Sequence, residues 1–185
     1  MTVIKNFPRV HFDFGARQAL AEELSACEIK RPLFITDPGV EACGVFDTVR
    51  KSVSEIASVS VFDQTPENPT LHGVECALEV YLAGSCDGLV AVGGGSVIDS
   101  AKALATLAFN PAPLRQYSGP GAIFPAAGAA PIIAIPTTAG TGSEVTRGAG
   151  IHPNADSRAF GAGGDPVLPK VAICDPEVTL PLPPA

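Results

Sequence analysis

Apolar residues along the chain fall into short unbroken runs, with stretches of helical spacing between them. Leu33, Phe34 and Ile35 form one run, ending at the turn sequence Thr36-Asp37-Pro38-Gly39. Residues 59–62 form a second, closed by Pro66, Asn68 and Pro69. Leu89, Val90, Ala91 and Val92 form a third, which runs into Gly93, Gly94, Gly95 and Ser96. Ile132, Ile133, Ala134 and Ile135 form a fourth, ending at Pro136, Thr137 and Thr138. Val171, Ala172, Ile173 and Cys174 form a fifth, ending at Asp175 and Pro176. Continuous apolar runs this short, bounded by turn residues, are what strands covered on both faces require. Between them, residues 71–83 carry Val74, Ala77, Leu78 and Tyr81 at i, i+3, i+4 and i+7, which predicts a helix, and residues 97–107 predict another.

Strands alternating with helices predict βαβ units and an α/β fold built on a mainly parallel sheet flanked by helices. Open sheets of this kind bind ligands beyond the carboxyl ends of their strands. The expected site is therefore the set of loops at residues 37, 68, 93–96 and 137–143. No repeat or linker divides the chain, so residues 1–185 read as one α/β domain. Residues 175–185 read as the way out of a strand, with another element expected after them.

Composition narrows the class. The chain is 46% hydrophobic and 17% charged, enough apolar content for a core and too little charge for a disordered chain. Twelve Lys and Arg against nineteen Asp and Glu give a net charge of −7, with no basic stripe, which argues against nucleic acid as a partner. The five cysteines are odd in number and form no C-x-x-C pair, so neither a disulfide framework nor a zinc knuckle is expected and a reducing, cytoplasmic setting fits. Residues 1–10 lack the apolar core of a signal peptide. Residues 116–143 carry no charge, but Pro120, Pro125, Pro131 and Pro136 with five glycines argue against a membrane-spanning helix. That stretch reads as buried loops around one short strand.

The chemistry concentrates in two loops. In the first, three glycines between a strand and a helix allow close backbone approach to an anion, and the helix start offers free N–H groups. Ser96 and Asp99 have the S-x-x-D spacing of a helix cap. The dinucleotide fingerprint G-x-G-x-x-G fails because residue 98 is Ile, and the Walker pattern fails as well. On its residues alone the loop is a weak signal, and a tight turn with no ligand is the other reading. In the second, residues 136–146 (Pro-Thr-Thr-Ala-Gly-Thr-Gly-Ser-Glu-Val-Thr) set hydroxyls and mobile backbone at a strand's carboxyl end, suited to phosphate, ribose or amide contacts. His11, His72 and His152 show no metal-binding spacing, and Lys102 reads as a solvated helix residue.

The run over residues 136–146 resembles the signature loop of the iron-containing (group III) alcohol dehydrogenases. Gly93-Gly94-Gly95-Ser96 with Asp99 and Lys102 is similar to that family's phosphate loop. Thr36-Asp37-Pro38-Gly39, Asn68-Pro69-Thr70 and residues 168–176 follow in family order. The resemblance spans essentially the whole chain. It implies the Rossmann-like, dehydroquinate synthase-like N-terminal domain of that family, without the helical C-terminal domain, which would follow residue 185. By resemblance, that second domain supplies one Asp and three His to Fe2+ or Zn2+, so this chain holds no metal ligand and no catalytic residue. The implied cofactor is NAD rather than NADP. Asp37 would take the adenosine ribose, Gly94, Gly95 and Ser96 the pyrophosphate. Asn68, Thr137, Thr138, Gly140 and Thr141 would line the cleft, and Thr179 would meet the cofactor near the domain junction. The implied partners are the dinucleotide, a small alcohol or aldehyde in the parent enzyme, and further copies of the chain. The family's ribose-binding lysine falls near Ala159, beside Arg158, where the match is poor. Two other readings stay open: a metal-independent reductase like maleylacetate reductase, and a stand-alone nucleotide-binding module without catalysis.

Overall fold

The apolar runs at 33–35, 89–92, 132–135 and 171–174 become strands because both of their faces find cover, while the run at 59–62 becomes a partly exposed one. The computed structural model describes residues 7–56, 59–118 and 128–181. In chain order its elements are β1 (Arg9–Phe12), α1 (Leu20–Ala26), β2 (Pro32–Ile35), α2 (Pro38–Ala42), α3 (Val45–Lys51), β3 (Ser60–Phe62) and α4 (Leu71–Ala83). They continue with β4 (Gly88–Gly93), α5 (Gly95–Leu107), β5 (Ile132–Pro136), β6 (Gly148–Ile151), β7 (Phe160–Gly163) and β8 (Val171–Cys174). Six strands make one sheet in the order β1-β8-β5-β4-β2-β3, with every pair parallel. Successive side chains on a strand point to opposite faces. The register aligns Leu33 with Leu89 and Leu89 with Ile132. One face therefore carries Leu33, Ile35, Leu89, Ala91, Ile132 and Ala134, packed in a single core with Val74 and Tyr81 of α4 and Ile98 and Leu104 of α5. The other carries Phe34, Val90, Val92, Ile133, Ile135 and Ile173, packed with Leu20 and Leu24 of α1 and Phe46 and Val49 of α3. This is the α/β arrangement expected of the sequence.

Three strands, and helices α1 and α3, lie outside what the apolar pattern predicts. Strand β1 is an edge strand whose residues are mostly exposed, so Arg-Val-His-Phe carries no buried-strand signature. Strands β6 and β7 form a separate antiparallel pair in which Gly148 faces Gly163 and Ile151 faces Phe160. Their Gly-Ala composition gives no β signal, and β7 occupies the segment after Arg158 that matched the family poorly. The pair packs on the outer side of α5, so this helix is buried nearly all round and its small residues Ala101, Ala103 and Ala105 lie in the core. Of the uncharged stretch at 116–143, residues 119–127 lie outside the described residues, and the strand expected there is β5. The turn at 36–39 is the start of α2: Asp37 is its cap, and its Oδ1 accepts the N–H groups of Gly39 and Val40 at 2.8 and 2.9 Å. No helix among the described residues is long and apolar enough to cross a membrane.

Candidate functional site

Parallel strands bring every strand-to-helix loop to the same edge of the sheet, and there the predicted residues meet. A cavity of about 490 Å³ opens beyond the carboxyl ends of β2, β4 and β5. Asp37 and Gly39 close one side of it, Gly94, Gly95 and Ser96 form its floor at the start of α5, and Thr137 and Thr138 close the other side. Thr65, Pro66 and Glu67, from the segment after β3, complete the wall. Helix α5 begins at Gly95 with Gly94 as its cap and no capping side chain, so its first amides face the cavity unclaimed by any side chain. Free amides at a helix start, with the positive end of its dipole, suit a phosphate.

Two of the residues lining the cavity carry hydroxyls with nothing to bond. The Oγ1 atoms of Thr65 and Thr137 are buried and have no hydrogen-bond partner among the described residues, and the residues are only 2% and 0% exposed. Neighbouring hydroxyls are satisfied: Thr36 Oγ1 donates to Val92 O at 2.9 Å, and Ser96 Oγ donates to Glu67 O. A buried polar group without a partner is costly, and two such groups belong to residues on opposite sides of this cavity.

The hydroxyl-rich loop is stitched along α5 at three levels. At the top, Thr141 packs on Gly95: a Cβ at residue 95 would lie 3.0 Å from Thr141 Cγ2 and 3.4 Å from Ser143 Oγ. In the middle, Asp99 Oδ2 accepts the N–H of Gly150 at 2.8 Å. Below, Lys102 Nζ donates to Gly148 O at 2.8 Å and to Thr146 Oγ1 at 3.2 Å, with Asp99 Oδ1 3.6 Å away. Two expectations from the sequence are corrected here. The Ser96–Asp99 cap does not form, because the helix starts two residues earlier than a cap at Ser96 requires and both side chains reach across to other segments. Lys102 is not solvated but fully buried, because the β6–β7 pair covers the outer face of α5. Burial lowers the ammonium from its ordinary pKa, while Asp99 and then Glu144 pull it back up.

Thr138 also lines a second cavity of about 350 Å³, toward β8, with Gly140, Glu144, Cys174 and Thr179. Its rim is held by Asp175, whose carboxylate accepts the backbone N–H groups of Gly15, Arg17 and Glu177 and pairs with Arg17 at 2.7 Å. Burial pushes the Asp175 carboxyl up, but the Arg17 bond and these amides outweigh it and hold it below the usual range. Burial pushes the Cys174 thiol up, and Glu144 adds to the shift.

Of the ten residues expected to bind the cofactor, six line the first cavity: Asp37, Gly94, Gly95, Ser96, Thr137 and Thr138. Gly140 and Thr179 line the second, joined to the first through Thr138. Thr141 stands on Gly95 and lines neither. Asn68 is exposed just past Glu67 and lines neither cavity. Sequence reading missed Thr65 and Glu67, for which only their position after the second apolar run gave a signal. A wider cleft, about 780 Å³, lies away from these loops near Leu24, Glu28, Lys30, Arg31 and Asp87. There Asp87 Oδ1 already accepts the amides of Lys30 and Arg31 and its other oxygen pairs with Arg31, and among the described residues no lining side chain is both buried and unpartnered. Among the described residues no three His, Cys, Asp or Glu side chains converge as a metal site.

Comparison with known proteins adds an independent line. A family profile described as iron-containing alcohol dehydrogenase matches residues 8–176. A 4-hydroxybutyrate dehydrogenase of Cupriavidus necator is 46% identical over 185 residues, covering 99% of this chain and 48% of the relative. The crystal structure of a 1,3-propanediol oxidoreductase superposes with a TM-score of 0.90 at 31% identity, over 99% of this chain and 48% of that one. A sulfoacetaldehyde reductase from Bifidobacterium kashiwanohense, solved in complex with NAD+, superposes with a TM-score of 0.85 at 30% identity, over 97% of this chain and 47% of that one. The chain thus spans about half the length of these relatives.

Proposed function

The chain belongs to the iron-containing alcohol dehydrogenase family, and on that premise we propose that it is the dinucleotide-binding part of an enzyme moving hydride between NAD and an alcohol/aldehyde pair. The observation that carries the reading is the cavity lined by the free start of α5 and by Thr137, whose hydroxyl is buried and unpartnered. A dinucleotide fits this donor set. The amides of Gly95 and Ser96 hold the pyrophosphate, and Thr137 and Thr138 donate or accept from one wall. Asp37 takes the adenosine ribose with Oδ2, since Oδ1 is engaged by Gly39 and Val40. The other half of the dinucleotide passes Thr138 into the second cavity, between Gly140 and Thr179.

When bound, NAD+ supplies a hydride acceptor at nicotinamide C4. The residues of this chain fix where that carbon stands, one part of the protein's usual share of a cofactor reaction. The second cavity is open beside Phe12, and Phe12, Phe14 two residues on and Leu180 next to Thr179 are 78%, 68% and 74% exposed. An apolar surface there suits cover by further protein. We assign that cover to a helical domain following residue 185, which brings the iron or zinc ligands and the substrate pocket for a small alcohol or aldehyde, in an assembly of identical copies. The described residues do not themselves fit a metal. His11 Nε2 is bonded to Glu23 at 2.7 Å, His152 Nδ1 to Ser157 O at 2.6 Å, and His72 stands on α4 beside Cys76.

The test is a calorimetric titration of the chain with NAD+ and NADP+. NAD+ should bind more tightly, because the Asp37 carboxylate repels a 2′-phosphate. Asp37→Gly should lower NAD+ affinity about five- to tenfold, the worth of one net hydrogen bond, and narrow the gap to NADP+. The helix loses little, since glycine caps nearly as well. Tighter binding of NADP+ by the unsubstituted chain would overturn the assignment.

A further inference from the structure

We propose that Thr65 is a cofactor-binding residue of this cleft, with its hydroxyl reserved for the adenosine part of the dinucleotide. The inference rests on the nucleotide reading above and goes beyond it in assigning a residue that the family's motifs do not mark. Thr65 follows β3, next to β2 at one side of the sheet. Its backbone N–H donates to Thr36 O at 3.3 Å, which fixes it beside the end of β2, immediately before Asp37. Its side chain lines the cavity with Asp37, Gly39, Glu67 and Ser96, so it lies on the Asp37 side of the phosphate floor.

The hydroxyl has no structural employment. Thr70, a few residues on, uses its Oγ1 to cap α4, accepting the N–H of Gly73 at 3.1 Å. Thr36 and Ser96 likewise bond to backbone carbonyls. Thr65 Oγ1 bonds to nothing among the described residues although the side chain is buried. Valine has the same shape and would fill this place without the unpaired oxygen. A hydroxyl kept where a methyl would serve the fold better is explained by a ligand that bonds to it. The two sides of the phosphate floor divide the ligand's halves. Asp37 takes the ribose on one, and the path past Thr138 to the second cavity leads away on the other. Thr65 shares the Asp37 side, where the adenosine hydroxyls and ring nitrogens supply both donors and acceptors. Rotation about χ1 exchanges the positions of hydroxyl and methyl, the route by which the buried oxygen would reach a ligand.

The test is Thr65→Val in the full chain, with Thr65→Ser as the conservative control, titrated with ADP-ribose and with nicotinamide mononucleotide. Thr65→Val should bind ADP-ribose about three- to tenfold more weakly, as for loss of one neutral hydrogen bond. Its mononucleotide affinity should be unchanged, and Thr65→Ser should keep most of the ADP-ribose affinity. The thermal midpoint without ligand should be equal or higher for Thr65→Val, because an unpaired buried oxygen has gone, which separates a binding role from a folding one. Equal ADP-ribose affinity in Thr65→Val and the unsubstituted chain overturns the assignment and leaves the nucleotide reading standing. A lower midpoint with unchanged affinity also overturns it. Failure of the unsubstituted chain to bind ADP-ribose or NAD+ at all overturns the nucleotide reading and this assignment together.

Discussion

Gly95→Val should weaken NAD+ binding by about ten- to hundredfold while leaving the fold in place. The glycine stands at the first position of α5, beneath the hydroxyl loop and beside the cavity floor. Any Cβ there would approach Thr141 Cγ2 to 3.0 Å and its Cβ to 3.1 Å, and valine adds two methyls beyond. The neighbours are side chains of a loop, so the loop gives way rather than the sheet. Moving it shifts Thr137 and Thr138 relative to the α5 amides, and the phosphate can no longer meet both. Charge-assisted bonds of this kind contribute on the order of 1.5–3 kcal/mol, which is the stated range of affinity. Calorimetry with NAD+ and a thermal melt on the same preparation separate the two effects. Unchanged affinity in a folded variant would mean that the glycine run is only a turn and that the phosphate sits elsewhere.

The chain assayed on its own should form no NADH from alcohols, even with ferrous iron or zinc supplied. Alcohol oxidation in this family's manner needs an electrophile on the alcohol oxygen, and a divalent site needs several ligands converging on one point. Among the described residues no three candidate ligands do so. The second cavity is open beside exposed Phe12, so water reaches the place where hydride would move, and no second wall orients the substrate. The same exposed apolar side chains should cause self-association, visible on a sizing column. The measurement is NADH formation across a panel of short primary alcohols and diols, with metal content determined on the same sample. Metal-dependent turnover of roughly one per second or more, an ordinary enzyme rate, would show that these residues suffice and that no further domain is required.

Much of this was legible in the chain itself, for a definite physical reason. A strand covered on both faces must be apolar at every position, so Leu89 to Val92 and Ile132 to Ile135 announce themselves without any neighbour being known. Glycines between such a strand and a helix, and hydroxyls after another, then share one edge because parallel strands all end on the same side. That logic places Asp37, Gly95 and Thr138 together before any distance is measured. Edge strands and small-residue hairpins escape it. Arg9–Phe12 is half solvated, and Gly148–Ile151 has too little side chain to show a period.

Local patterns also misled where a distant segment supplied the partner. Ser96 and Asp99 have the spacing of a cap, yet Glu67 and Gly150 claim them, from 29 and 51 residues away. Lys102 sits where a helix would meet water, until β6 and β7 fold over it and leave its ammonium to Gly148, Thr146 and Asp99. Thr65 is one of many threonines in the sequence, and only in the folded chain does its hydroxyl lack a partner beside a cavity. The sequence by itself determined the buried strands of the sheet, the edge at which the candidate site lies and the family, because these depend on which residues can be buried and on the order of the motifs. The tertiary structure alone decided which polar groups are already bonded and which are left for a ligand, because that depends on partners brought from elsewhere in the chain.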